Sequence, residues 1–364
     1  MSSRTLRRLY VDLSLDRGTI LTNIDNHHKT AEQVIVTKTS TMTETSEQED
    51  YATIKLISTI PCLKRVDFVE FGRNDPLSVR GLATLLQRSV HLETLFLGAV
   101  HINGSPNDYT NLIEQFRSHP ALRKIYWNAC LTYPKQTRVI QEMAEALSKL
   151  PTLREVEIIE TRYLPAGTWT GDALAAFGRS PCIKKLSIIG AHNLCSNGIV
   201  VKLAAALETN NSLEELRLVY DLDSADVGAI CRMLCVNTSL QSLFLNRIPN
   251  CTEAISIMES LMNNTCVREL NLYFREEHLV ESVRSAFLRL LQQNFTLEKV
   301  GGGWACQDME FFLRLNHSGR KRIMGGTTDS RKDDWIDIMA KRQDCVPSLY
   351  YLLALYPPLC IEAL

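Results

Sequence analysis

Two thiols, Cys231 and Cys235, lie four residues apart, a spacing that on a helix puts both sulfurs on one face, as a soft metal ion would require. A tetrahedral site needs two further donors. No second cysteine pair or histidine follows nearby, so the two are expected to pack in a core. His27-His28 has no acid or thiol at matching spacing and reads as loop. Gly301-Gly302-Gly303 lacks the spacing of a dinucleotide fingerprint and reads as a worn strand. No phosphate-cradling loop ending in Lys-Ser/Thr occurs, nor His-Glu-x-x-His, nor Gly-x-Ser-x-Gly. The chain is therefore expected to be non-catalytic and to carry no cofactor and no metal.

What remains is surface, and a repeat decides which residues share it. From Asn210 to Leu245 one phrase is written twice, a polar turn followed by Leu-x-x-Leu-x-Leu. Leu213, Leu216 and Leu218 stand at positions one, four and six of the first copy, and Leu240, Leu243 and Leu245 at those of the second. Positions four and six alternate like one face of a strand. Between the copies, Val227, Ile230, Cys231 and Leu234 recur at three and four, which is one stripe of a helix. A single strand-turn-helix unit cannot bury its apolar face alone, so neighbours of the same period are required.

They are present. Position one is held by Leu63, Leu92, Leu122, Leu153, Ile183, Leu213, Leu240, Val267 and Leu297, at steps of 29, 30, 31, 30, 30, 27, 27 and 30. Positions four and six hold Val66 and Phe68, Leu95 and Leu97, Ile125 and Trp127, Val156 and Ile158, Leu186 and Ile188, and Leu270 and Leu272. Helical stripes fill the gaps, among them Leu82, Leu85 and Leu86; Ile140, Met143 and Leu147; Val200, Leu203 and Leu207; and Ile255, Met258 and Met262. Proline or a short polar residue just before position one ends the preceding helix in seven copies, as at Pro120, Pro151 and Ser212.

This phrase resembles the leucine-rich repeat, in the longer ribonuclease-inhibitor-like subtype with a full helix per unit. The resemblance covers about residues 60 to 300 and implies an α/β fold: a horseshoe solenoid with an inner parallel sheet and outer helices, capped at both ends. The sequence departs from the family at position nine, where an Asn or Cys usually holds the turn. Those places carry Phe71, Val100, Cys130, Thr161, Ala191, Asp221, Ile248 and Arg275, of which only Cys130 and Thr161 come near. The tail, with Leu349-Tyr350-Tyr351-Leu352-Leu353, is similar to that of uncharacterised algal leucine-rich repeat proteins.

Three regions follow. Residues 1–60 are expected to form an N-terminal cap with a degenerate first repeat at Ala31, Val34 and Val36, and a capping hairpin is expected around Leu6, Leu9 and Val11. The polar run from Thr37 to Asp50 reads as a loop. Residues 61–305 are the solenoid of about nine units. Residues 306–364 are a helical C-terminal cap and tail, with a helix from about Cys306 to Leu315 and closing helices around Trp335 and Leu352. The basic cluster from Arg320 to Arg322 reads as a solvated helix end rather than an import signal.

Composition sets the remaining limits. Forty basic and forty-one acidic residues leave a net charge of −1, which favours neither nucleic acid nor an anionic membrane. Eleven cysteines, an odd number scattered over repeat positions, point to free thiols in a reducing compartment. No stretch reaches the ~20 apolar residues of a membrane span, and the first residues lack a signal-peptide core. A cytoplasmic or nuclear monomer is expected. Sequons at Asn210, Asn237, Asn263 and Asn294 fall in the turn before position one and read as turn chemistry.

Positions three, five and seven of each strand point away from the buried pair and line the inner curve. Phe96, Tyr126, Arg217, Phe244 and Tyr273 are expected there as anchors for a protein partner, with Glu157 and Glu215 supplying polar specificity. The unit type also resembles the Ran GTPase-activating protein, which would make the array an activator of a small GTPase. A substrate-recognition subunit of a ubiquitin ligase is the third option, and it would need an adaptor-binding helical module that residues 1–60 do not resemble.

Overall fold

The computed structural model describes residues 8–12, 31–37, 47–69, 71, 76–131, 136–160, 169–190, 198–274, 281–302, 307–317 and 320. His27-His28 and the closing helices expected around Trp335 and Leu352 lie outside them. The chain divides into two compact units, Met1–Asp221 and Leu222–Leu364.

In the first unit β1 (Arg8–Asp12), β2 (Gln33–Thr37), β3 (Arg65–Val69), β5 (Thr94–Asn103), β6 (Lys124–Leu131), β7 (Glu155–Glu160), β8 (Lys185–Gly190) and β9 (Glu215–Val219) pair in chain order, all parallel. A two-residue strand, β4 (Leu77–Ser78), adds to the far end of β5. Helices α1 (Glu47–Ile57), α2 (Val79–Arg88), α3 (Pro106–Ser118), α4 (Gln136–Ser148), α5 (Gly171–Gly178) and α6 (Ile199–Leu207) alternate with the strands. Register matches repeat position to repeat position: Val66 pairs with Leu95, Leu95 with Ile125, and Ile125 with Val156. Every position-four and position-six residue from Val66 to Leu218 is at most 2% exposed, so the alternation in sequence is the alternation across the sheet.

Two expectations at the N-terminus are corrected. Leu9 and Val11 are buried, but β1 runs parallel to β2 instead of folding back as a hairpin, so the parallel register reaches back to Arg8. Glu47–Asp50 form the first turn of α1, not loop, because Ile54 and Ile57 bury an apolar stripe one and two turns later.

In the second unit α7 (Ser224–Val236), β10 (Ser242–Ile248), α8 (Cys251–Leu261), β11 (Glu269–Phe274), α9 (Glu281–Gln293), β12 (Lys299–Gly301) and α10 (Gln307–His317) continue the alternation, with β10, β11 and β12 parallel. The buried stripe of α8 is Ala254, Ile257, Met258 and Leu261; Ile255 and Met262, expected inside, are half-buried. Arg320 is not solvated either. It is 3% exposed, donates from Nη1 to the carbonyl of Leu291 at 3.0 Å and from Nη2 to that of Gln292 at 2.9 Å, and lies 4.3 Å over the Phe295 ring.

Six of the turns are held by a side chain at the other end of the strand. Three residues before position one stand His119, Ser180 and Asn210 in the first unit and Asn237, Asn264 and Asn294 in the second, whereas Ile60 and Leu150 fill that place in two copies and the Ser89 hydroxyl, in a third, has no hydrogen-bond partner among the described residues. Asn264 Oδ1 accepts the backbone N–H groups of Cys266 and Val267 at 2.9 Å, while its Nδ2 donates to the carbonyls of Leu234 and Asn237 in the preceding repeat. Asn294 does the same with Thr296, Leu297, Leu261 and Asn264, and Asn210 with Ser212, Leu213, Gly178 and Ser180. Each amide thus closes its own turn and ties it to the last one. Three sequon asparagines, Asn210, Asn237 and Asn294, are consequently buried, as turn chemistry demands, whereas Asn263 is exposed.

At three of the described copies an apolar side chain packs into position nine instead. Phe71, Val100 and Ile248 are at most 1% exposed. In β5 and β10 the preceding residues, Ala99 and Arg247, take left-handed φ values of 53° and 59° at a register shift, which turns the next side chain inward.

Helix α7 opens on a capping box in which Asp223 accepts from the N–H of Asp226 at 2.8 Å and Asp226 accepts from that of Asp223. Burial, and then the Asp223 charge, push the Asp226 carboxyl up to about 6 from an ordinary 3.8. The folded carboxyl binds its proton more readily than the unfolded one, so this site stabilises most below the unfolded value and loses that contribution as pH rises through the folded one. Asp226→Asn, which keeps an acceptor but no charge, should flatten the dependence of the urea midpoint on pH between about pH 4 and pH 7. A slope identical to that of the parent chain rejects this.

Candidate protein-binding surface

The outward strand positions of the first unit form registered rows. Across position five the row reads Asp67, Phe96, Tyr126, Glu157, Ser187 and Arg217, each the partner of the next. Phe96 and Tyr126 are half-buried and face each other at 5.2 Å between ring centroids, tilted by 51°. That is a favourable aromatic separation, and each ring shields part of the other from water. Gly98 leaves space for the Phe96 ring, whose nearest carbon would stand 2.3 Å from a Cβ placed there.

Position three supplies a ladder of alternating sign. Lys124 pairs with Glu155 at 2.5 Å and Lys185 with Glu215 at 2.8 Å. Lys124 also lies 4.6 Å over the Tyr126 ring. Burial works against the Lys124 charge, but hydrogen bonds to Glu155 and Tyr126 outweigh it and hold its pKa above the usual value. Lys185 is raised chiefly by its hydrogen bond to Glu215. Glu215 therefore meets a partner already paired. Asp67 is taken out of the surface altogether: it is 6% exposed and accepts from Arg65 at 2.8 Å and Gln33 at 2.5 Å.

Glu157 differs from these acids. Half-buried beside Tyr126 and Ser187, it is pushed up by burial, with Lys124 and Arg217 pulling the other way. Arg217 is exposed at the end of the row. The charged ladder beside the aromatics was present in the alternating signs of Lys124, Glu155, Lys185 and Glu215; what the sequence lacked was the pairing distance.

The second unit carries its own aromatic pair. Phe244 and Tyr273 lie 5.2 Å apart, tilted by 34°, and Tyr273 is 40% exposed. Next to them Asn271 donates to Glu269 at 3.4 Å.

The thiol pair does not lie in the expected core. Cys231 is half-buried, with its thiol pushed up by burial, and Cys235 is exposed. Among the described residues no group of three or more His, Cys, Asp or Glu side chains could hold a metal ion, and no helix is long and apolar enough to cross a membrane.

Parallel strands in repeat register that, from β2 onward, alternate with helices define a leucine-rich repeat fold. No protein-family profile and no curated protein matches the chain. Among solved structures it is similar to the leiomodin-1 actin-binding site 2, with 21% identity, a TM-score of 0.37, and 42% of this chain and 92% of that one covered. It is also similar to a protein from Bacteroides fragilis, with 11% identity, a TM-score of 0.43, and 80% and 73% covered. Neither likeness is close enough to bear on function, and the fold rests on the sheet and its register.

Proposed function

We propose that the chain is a non-catalytic scaffold that binds a protein partner through the outward strand faces of its repeats. The observation that carries this is the Phe96–Tyr126 pair, half-buried within a registered row that ends in Glu157 and Arg217. Aromatic rings bordered by charge are the usual anchors of protein interfaces. As a neighbour pair alone the rings stabilise the sheet by only about 0.5–1.5 kcal/mol, which does not account for leaving them accessible to water. In the second unit, Phe244 and Tyr273 offer the same chemistry, with Tyr273 the more exposed.

In this reading the repeats are of the ribonuclease-inhibitor type, the ends are caps, and the scaffold works as a monomer in the cytoplasm or nucleus. Arg320, locked against Leu291, Gln292 and Phe295, supports a C-terminal cap that begins with α10. Tyr126→Ala and Phe244→Ala, introduced separately, should each weaken a captured partner by about 2 kcal/mol, or ~30-fold in Kd, while shifting the urea midpoint little. Affinity capture with quantitative mass spectrometry, followed by titration of the recovered partner, measures both. Partners retained at full affinity by both variants would remove these faces as the binding site.

A further inference from the structure

On the helical side of the first unit, basic side chains of two neighbouring helices flank one phenol. Tyr51 and Lys55 are one turn apart on α1, and Arg80, Thr84 and Arg88 form an i, i+4, i+8 stripe on α2. The Arg80 guanidinium lies 4.9 Å from the Tyr51 ring centroid. Gly81 sets this proximity: a Cβ there would stand 2.9 Å from Ile54 Cδ1, so its absence lets α1 lie close on α2 with Tyr51 above the stripe. Lys55, Arg80 and Arg88 are exposed, and none makes an ion pair among the described residues, although charged groups of both signs are matched elsewhere on this unit. The Tyr51 hydroxyl feels all three, and its pKa is lowered first by a hydrogen bond with Thr84 and also by Arg80, Lys55 and Arg88.

We propose that Tyr51 is a phosphorylation site whose phosphate is clamped by Arg80, Arg88 and Lys55, pinning α1 to α2. A cation cluster that makes no ion pair among the described residues, beside a half-buried phenol, can take the anion that phosphorylation supplies, and a phosphate opposite arginines gains about one to three charge-assisted hydrogen bonds. The preceding sequence, Glu47-Gln48-Glu49-Asp50, offers negative charge to the basic substrate cleft of a kinase. In the transfer, the phenol oxygen attacks the γ-phosphorus of a nucleoside triphosphate and the bond to the β–γ bridging oxygen breaks. The diphosphate leaves, and the phenolic proton passes to the kinase's base.

Two measurements on the full chain test this. With phosphotyrosine genetically encoded at position 51, phosphorus NMR should find the second phosphate ionisation about one unit below its ordinary value of about 6, and R80Q/R88Q should restore that value. A phosphate that titrates at the ordinary value in the parent overturns the clamp. When the unmodified chain is treated with a broad-specificity tyrosine kinase and ATP, peptide mapping should place phosphate on Tyr51 ahead of Tyr10 and Tyr273, which are 63% and 40% exposed, with Y51F losing it. Labelling of those two while Tyr51 stays unmodified overturns the site.

Discussion

Asn264→Ala should destabilise the second unit by about 3 kcal/mol, a large effect for a single polar side chain and one that Asn294→Ala should share. The side chain is 7% exposed and serves four backbone groups: the N–H groups of Cys266 and Val267 and the carbonyls of Leu234 and Asn237. Alanine leaves all four without that partner in a place water does not reach, and each buried orphan costs about 1–3 kcal/mol before relaxation. Asn263, next to it and exposed, is the internal control, and its alanine variant should stay within about 0.5 kcal/mol of the parent. Urea unfolding separates the two. Amide hydrogen exchange at Cys266 and Val267 should accelerate in the first variant only, and equal behaviour of both variants would show that the buried asparagines are not what hold the turns.

The second large effect is expected at His119, the same rung in the first unit. Its Nδ1 accepts from the N–H groups of Ala121 and Leu122 at 3.3 and 3.1 Å, and its Nε2 meets the Ser89 carbonyl at 3.2 Å, which fixes the neutral ring with its proton on Nε2. His119→Ala should cost about 2–3 kcal/mol. His119→Asn should recover most of this, because asparagine fills the equivalent place at Asn210, Asn264 and Asn294. Burial holds the histidine pKa below its ordinary 6.5, against the opposing Ser89 hydrogen bond. With the folded value depressed, the contribution is fully present above the unfolded value and is lost as pH falls through the folded one. The parent should therefore lose stability below about pH 6.5 by a component that His119→Asn lacks. Matching acid profiles for parent and variant would contradict the assigned proton. Asp226 acts in the opposite sense over an overlapping range, so the double variant with Asp226→Asn isolates the histidine component.

Much of the fold is legible because two periods alternate. The spacing of Leu216 and Leu218, then of Val227, Ile230 and Leu234, specifies strand and helix through burial alone, and all five side chains are at most 2% exposed. The row that holds Phe96, Tyr126 and Glu157 follows from the same count, because residues at equal repeat positions must align when parallel strands pair. The hairpin expected around Leu9 fails for a nameable reason. The chain between β1 and β2 has no helical stripe, and the count of apolar residues says nothing about strand direction, which the register of Leu9 with Val34 settles.

By itself, then, the sequence determines the period, the inward residues and the outward rows, since these depend only on which side chains avoid water. The tertiary structure alone decides which polar residues are spent internally. Arg320 reads as a solvated helix end and is buried, nothing in their spacing marks Asp67 and Asn264 as buried though both are, and Glu157 and Tyr51 sit among charges that come largely from other strands or another helix. The reason is range. Apolar burial is a property of one residue and its spacing, but a hydrogen bond or an ion pair needs two groups at a defined distance, and across about thirty residues of chain only the stacking of one repeat on the next provides it.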